Sequence, residues 1–203
     1  MKSLRYLNPL ACLLVAALMT PSAIAQEDVA KPASDAARPN LIRNGDFEAA
    51  VPHEETRYAP GWTFETPTIA QHWEYHNQAG LAAMVDSSPS SSGKAIRIKS
   101  KDGKMAIIHQ KLALTDAGRI DFSAKIRGTG SIEIATFQYD RETSKYIGTP
   151  TVIPETPVFT QEWGTVKATF GYEGKTMVYI ALFIKSDEGV EIDDVKLHYA
   201  PRE

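Results

Sequence analysis

The sequence predicts an all-β protein, an antiparallel β-sandwich. Three observations carry this. From residue 40 onward, apolar and polar residues alternate with a period of two, the mark of half-buried strands. Turn-forming clusters punctuate the chain at short intervals: Ser88–Gly93, Asp102-Gly103, Asp116–Gly118, Gly128–Gly130, Gly171–Gly174 and Asp187–Gly189. No stretch after residue 40 carries convincing helical periodicity. Short strands separated by turn signals point to a sandwich or barrel.

The elements follow in order. Lys94–Lys99 puts Ile96 and Ile98 on one face. Arg119–Arg127 sets Ile120, Phe122, Ala124 and Ile126 against Asp121, Ser123, Lys125 and Arg127. Trp163–Phe170 repeats the pattern through Val166 and Ala168, and Val190–His198 makes the last strand. Two strands differ. Lys175–Ile184 is apolar on both sides, with Val178, Ile180, Leu182 and Ile184 in one row and Met177, Tyr179, Ala181 and Phe183 in the other. Ser131–Tyr139 sets Ile132 and Ile134 against Glu133, Ala135, Phe137 and Tyr139. Only one face of a sandwich strand reaches the core, so the second row lies under loops or forms an exposed platform. Small alanines flanked by rings would make a shallow floor.

The first 25 residues read as a secretory signal peptide. Lys2 and Arg5 give a positive start, Leu10–Met19 is apolar, and Ala23-Ile24-Ala25 precedes Gln26. The apolar run is too short for a membrane span, and no second run follows, so a membrane-spanning protein is not expected. Residues 26–39 are rich in Ala, Pro and charge and read as a flexible linker. Residues 40–201 form one domain. The single Cys, Cys12, lies in the leader, which leaves the mature chain without thiols. That excludes Cys nucleophiles and Cys-ligated metals, and it suits a secreted or periplasmic bacterial protein. The full chain carries a net charge of −3. Loss of Lys2 and Arg5 leaves 20 basic against 25 acidic residues, a charge of −5. With no basic cluster, nucleic-acid binding is not expected.

Five pieces stand in a specific order: Asn40–Glu48 (NLIRNGDFE), Pro60-Gly61-Trp62, Ser92–Ile98 (SGKAIRI), Gln110–Leu114 (QKLAL) and Ile192–Val195 (IDDV). Together they resemble the carbohydrate-binding-module jelly rolls of the galactose-binding-like superfamily, the type attached to xylanases and cellulases. The resemblance covers residues 40–199. It implies that the first and last pieces are adjacent terminal strands, and that a polysaccharide or glycan is the partner. The module is expected to stand without an attached catalytic domain, with a separate partner protein in the place of an attached enzyme.

Sugar C–H faces stack on aromatic rings, and their hydroxyls need polar neighbours. Trp73 and Tyr75 share one face of Gln71–His76 if that run is a strand. They would join Tyr139 and Tyr179 around a groove, with Arg127, Gln138 or Glu133 as polar contacts. The alternative places these rings in the core or under the 49–61 loop. Asp193 shares a face with Val195 and Leu197, so its carboxylate points inward, and a buried carboxylate is costly unless paired or metal-bound. The resemblance implies a structural calcium (Ca2+) here, with Glu48 and Asp193 as ligands; the alternative is hydrogen bonding of Asp193 to backbone amides. His72, Glu74 and His76 would line up on a strand as a zinc or nickel site, or else form a solvent face. No Gly-x-Ser-x-Gly, His-Glu-x-x-His or phosphate-cradling loop occurs, and an enzyme is not expected. The reading is a non-catalytic exported carbohydrate-binding protein. An envelope interaction or structural module without sugar binding is the alternative.

Overall fold

A computed structural model describes residues 39–201 apart from residues 57, 77, 78, 89–92, 149 and 150. The expected leader and nearly all of the linker lie outside the described residues. The architecture is an all-β sandwich, as the periodicity requires.

β1 (Ala50–Pro52) and β3 (Thr68–Ala70) form a short antiparallel ribbon. Among the described residues, nine further strands form one hydrogen-bonded network: β2 (Thr63–Phe64), β4 (Glu74–His76), β5 (Gly80–Asp86), β6 (Lys94–Ser100), β7 (Ala106–Leu114), β8 (Gly118–Asp140), β9 (Tyr146–Gly148), β10 (Thr151–Tyr172) and β11 (Thr176–Tyr199). Pairing is antiparallel except between β2 and β5, where Thr63 faces Leu81 in parallel.

Two layers arise because the long strands bend and serve in both. Residues 176–184 of β11 lie between β7 and residues 132–140 of β8. Beyond the bend, Gly189–Asp193 of β11 pairs with residues 125–129 of β8, and Val190–Ile192 also pairs with β6. The bend falls at a register shift between Lys185 and Gly189. Opposite it, Gly128 and Gly130 have φ of 117° and 143°. A Cβ on Gly128 would sit 2.3 Å from the Gly189 carbonyl oxygen, and one on Gly130 would sit 2.5 Å from that of Lys185. Gly-Thr-Gly and Asp-Glu-Gly therefore mark corners of continuous strands, where the sequence suggested turns between separate ones. Bulges and glycines are what such a corner needs.

The inward rows of the two layers meet in one core. Ile132, Ile134, Val178, Ile180, Leu182 and Ile184 come from one layer, and Ile96, Ile98, Ile120, Phe122, Val190 and Ile192 from the other. Each such side chain contributes about 1.5–3 kcal/mol on burial. A second bulge, between Asp193 and Lys196 with Asp194 at φ 51°, resets the alternation so that Val195 and Leu197 also enter the core.

The opening motif is a hydrogen-bonded latch of turns, where the resemblance implied a strand. It does lie beside the last strand. Leu41 N donates to Leu197 O at 2.8 Å, and Val195 N donates to Gly45 O at 2.8 Å. Asn40 Oδ1 accepts from Leu197 N at 2.8 Å. A Cβ on Gly45 would lie 2.0 Å from Val195 O, so only glycine permits this approach. The neighbouring Asn44 takes the left-handed conformation, φ 49°, and its side-chain amide ties Ala49 and Gln71. Asn tolerates that conformation better than most residues.

Candidate functional site

The outward face of the layer built by β4, β7, β8 and β11 carries a groove of about 570 Å³. Strand alternation places its residues. Met177, Tyr179, Ala181 and Phe183 project from β11; Phe137 and Tyr139 from β8; Ile107, His109 and Lys111 from β7; Glu74 and His76 from β4. Ala181 faces Ala135 across the strands, and this small pair leaves the depression that the rings surround. The second row of the two doubly apolar strands thus forms a groove open to solvent.

Five rings follow one another across the strands. Centroid separations are 5.1 Å from His76 to His109, 5.5 Å to Tyr179, 5.6 Å to Tyr139 and 5.5 Å to Tyr146. All four contacts are edge-to-face, with interplanar angles between 60° and 84°, which the ring quadrupole favours. Lys111 Nζ lies 5.6 Å from the centre of the Tyr179 ring. Buried His109 presents Nε2 3.8 Å from Glu74 Oε2.

A tight turn after β8 closes one end. Asp140 Oδ1 accepts from Thr143 N at 2.6 Å, from Thr143 Oγ1 at 2.7 Å and from Glu142 N at 3.1 Å. The Thr143 hydroxyl and amide hold the Asp140 carboxyl below its ordinary value by bonding its charged form. The turn sends the chain back as β9, which places Tyr146 beside Tyr139.

Of the side chains the sequence suggested for a platform, Tyr139 and Tyr179 line the groove. Trp73 and Tyr75 do not. Both are 1% exposed. Trp73 stacks on Phe47 with centroids 5.3 Å apart and donates Nε1–H to Asn44 O at 3.1 Å, so it anchors the opening latch. Tyr75 meets Trp62 and Phe64 edge-on, and burial pushes its phenol well above the usual value. The strand there is only three residues long. Its alternation turns Glu74 and His76 to the groove and Tyr75 to the core.

Gln138 faces inward between Phe137 and Tyr139, and donates to Gly171 O at 3.2 Å. Arg127 belongs to the other layer. Its Nε donates to Glu191 Oε2 at 2.6 Å and its Nη1 to Ser88 O at 2.9 Å, with the guanidinium 4.5 Å from the Trp163 ring centre. It pins the loop after β5. Glu133 lies across from Phe183. His72 stands in a turn at φ 70° and lines a neighbouring polar depression of about 670 Å³ that shares Glu74 and Lys111 with the groove. It is not aligned with His76, and among the described residues no three His, Cys, Asp or Glu side chains gather to hold a metal.

Glu48 is exposed, and its Oε1 accepts from Lys94 N at 2.7 Å. Asp193 is 1% exposed, and its Oδ1 accepts from Asp194 N at 2.6 Å. Ile192 pairs with Ile96, so both carboxylates stand at the start of β6. Two carboxylates there suit a hard cation if backbone carbonyls supply the other oxygens.

His109, Lys111 and Tyr146 escaped the sequence reading, and His76 entered it only as a metal ligand or a solvent-face residue. The alternation of Ile107, His109 and Lys111 beside the doubly apolar strand was the available signal for two of them. Nothing in the sequence marked Tyr146, which reaches the groove only through the turn at Asp140.

The sequence matches no protein-family model and no curated protein. The structure is similar to the CBM22-1 xylan-binding domain of Paenibacillus barcinonensis Xyn10C, with a TM-score of 0.51 and 10% identity over 82% of this chain and 98% of that one. The fold is the jelly roll of carbohydrate-binding modules. The same jelly roll is found in the CBM22-1–GH10 modules of Clostridium thermocellum xylanase 10B in complex with xylohexaose, with a TM-score of 0.54 and 12% identity over 64% of this chain and 26% of that one. It recurs in the enzymatically active domain of bacteriophage CBA120 tailspike protein 4, with a TM-score of 0.57 and 12% identity over 79% of this chain and 21% of that one. This chain therefore spans about a quarter of the clostridial chain and a fifth of the tailspike. At these identities the likeness speaks to fold.

Proposed function

We propose that the domain binds a polysaccharide in the groove without transforming it. The observation that carries this is the row of rings about Tyr139 and Tyr179, set in an open groove on the outward face of a carbohydrate-binding-module jelly roll. Rings offer flat faces to sugar C–H groups, while Glu74, His76 and Lys111 offer polar partners for hydroxyls. Of the groove's two carboxylates, Asp140 is held in its turn by three hydrogen bonds, which supports binding over hydrolysis by a pair of free carboxylates. The signal-peptide pattern makes export the setting. Calcium held by Glu48 and Asp193, with carbonyls completing its shell, would brace the start of β6.

Affinity electrophoresis of the mature domain on xylan, β-glucan, cellulose and galactan tests the proposal. Retardation on at least one polymer, lost in Tyr179→Ala, is expected. Migration unchanged on every polymer contradicts it.

A further inference from the structure

The charges around the groove are unevenly committed. Its carboxylates are engaged within the protein: Glu74 lies 3.8 Å from His109, Asp140 accepts three hydrogen bonds from its own turn, and Glu142 on the lip pairs with Lys175 at 3.7 Å. Its two permanent cations are differently placed. Lys111 and Arg141 have no carboxylate partner among the described residues, and both are exposed. They flank the ring pair: Lys111 faces Tyr179 across the strands with its Nζ near that ring, and Arg141 begins the turn two residues after Tyr139. In a chain of net charge −3, this is a place where two uncommitted cations border an apolar, ring-lined depression.

We propose that the preferred ligand is an anionic polysaccharide, bearing uronate or sulfate groups. Its sugar rings lie against Tyr139 and Tyr179, and its acidic groups pair with Lys111 and Arg141. The planar guanidinium fork of Arg141 suits an oxyanion, and the lysine supplies a point charge next to the stacking surface. A neutral glycan would leave both cations in water, so the two residues act as determinants of specificity. This rests on the groove being the sugar site.

The test is affinity electrophoresis of the mature domain on polygalacturonate, dextran sulfate and neutral xylan, at low and raised salt. Retention is expected to be stronger on one or both anionic polymers than on xylan and to weaken as salt rises, because exposed charges are screened. The polymer that retains the protein more identifies the acidic group. Lys111→Met and Arg141→Gln are each expected to cut retention on that polymer about tenfold, a loss of about 1.4 kcal/mol, and to cut it by more than they cut retention on xylan. Lys167→Met, on the outer face of the other layer, should alter nothing. Retention on xylan that equals or exceeds retention on the anionic polymers overturns the specificity while sparing the groove. A loss in Lys167→Met matching that in Lys111→Met overturns it as well, since bulk charge would then be responsible. Absence of retention on all three polymers overturns both this inference and the sugar-binding proposal beneath it.

Discussion

Tyr139 and Tyr179, forty residues apart in sequence, meet edge to face with ring centroids 5.6 Å apart and planes at 73°. The register that joins β8 to β11 places Tyr179 opposite Phe137 and Met177 opposite Tyr139, so the two phenols sit diagonally on one outward face. Each is only half-buried. Replacing either by alanine is expected to weaken sugar binding about tenfold, or about 1.4 kcal/mol, while the melting temperature changes little. Isothermal titration with the best-retained polymer, alongside thermal melts, checks both halves of this expectation.

Trp73→Ala should behave in the opposite way. The indole is buried against Phe47 and ties the opening latch. Truncation of a buried Trp costs about 3–5 kcal/mol. Urea unfolding is expected to show that loss, and the fraction that remains folded should bind sugar as the wild type does.

The Asp140 turn gives a pH dependence of known sign. Its folded carboxyl titrates below the ordinary value of 3.8, so the charged form stabilises the folded state. That contribution is present above the ordinary value and is lost as pH falls through the lower folded value. Wild type should melt higher than Asp140→Asn at neutral pH, and the gap should close in acid below 3.8. A gap that stays constant down to the acid end would show that the carboxylate charge does not hold the turn.

Calcium, if held by Glu48 and Asp193, binds the folded state and raises its stability by mass action, by about 2.7 kcal/mol at a hundredfold excess over Kd. The melting temperature is expected to rise with added calcium, to fall with EDTA, and to respond to neither in Asp193→Asn. A wild-type curve indifferent to EDTA would contradict a metal site at Asp193.

Much of the fold was legible because alternation is a local property. Ile120 to Ile126 and Val178 to Ile184 face the core as their spacing requires, and the second row of β11 lines a groove. What the sequence did not disclose lies at corners and in short strands. Gly128, Gly130 and Gly189 serve as bends in continuous strands: carbonyls of β11 approach Gly128 and Gly130 too closely for any Cβ, and Gly189 takes a φ of 125°. Trp73 and Tyr75 were placed on the wrong face because a three-residue strand gives too little pattern to fix its phase. Gln138 and Arg127 are polar residues whose partners, Gly171 O and Glu191, lie far along the chain, and local sequence carries no record of such pairs.

The central claim is that sugar is held on the ring-lined face of β8 and β11. The most direct measurement is protein NMR of the mature domain titrated with the retained oligosaccharide. The account predicts shift changes concentrated at Tyr139, Tyr179, His109 and Lys111, with Trp73 and Arg127 unmoved. Shifts centred on Arg127 and Trp163, or no shifts at the tyrosines under saturating sugar, would contradict it.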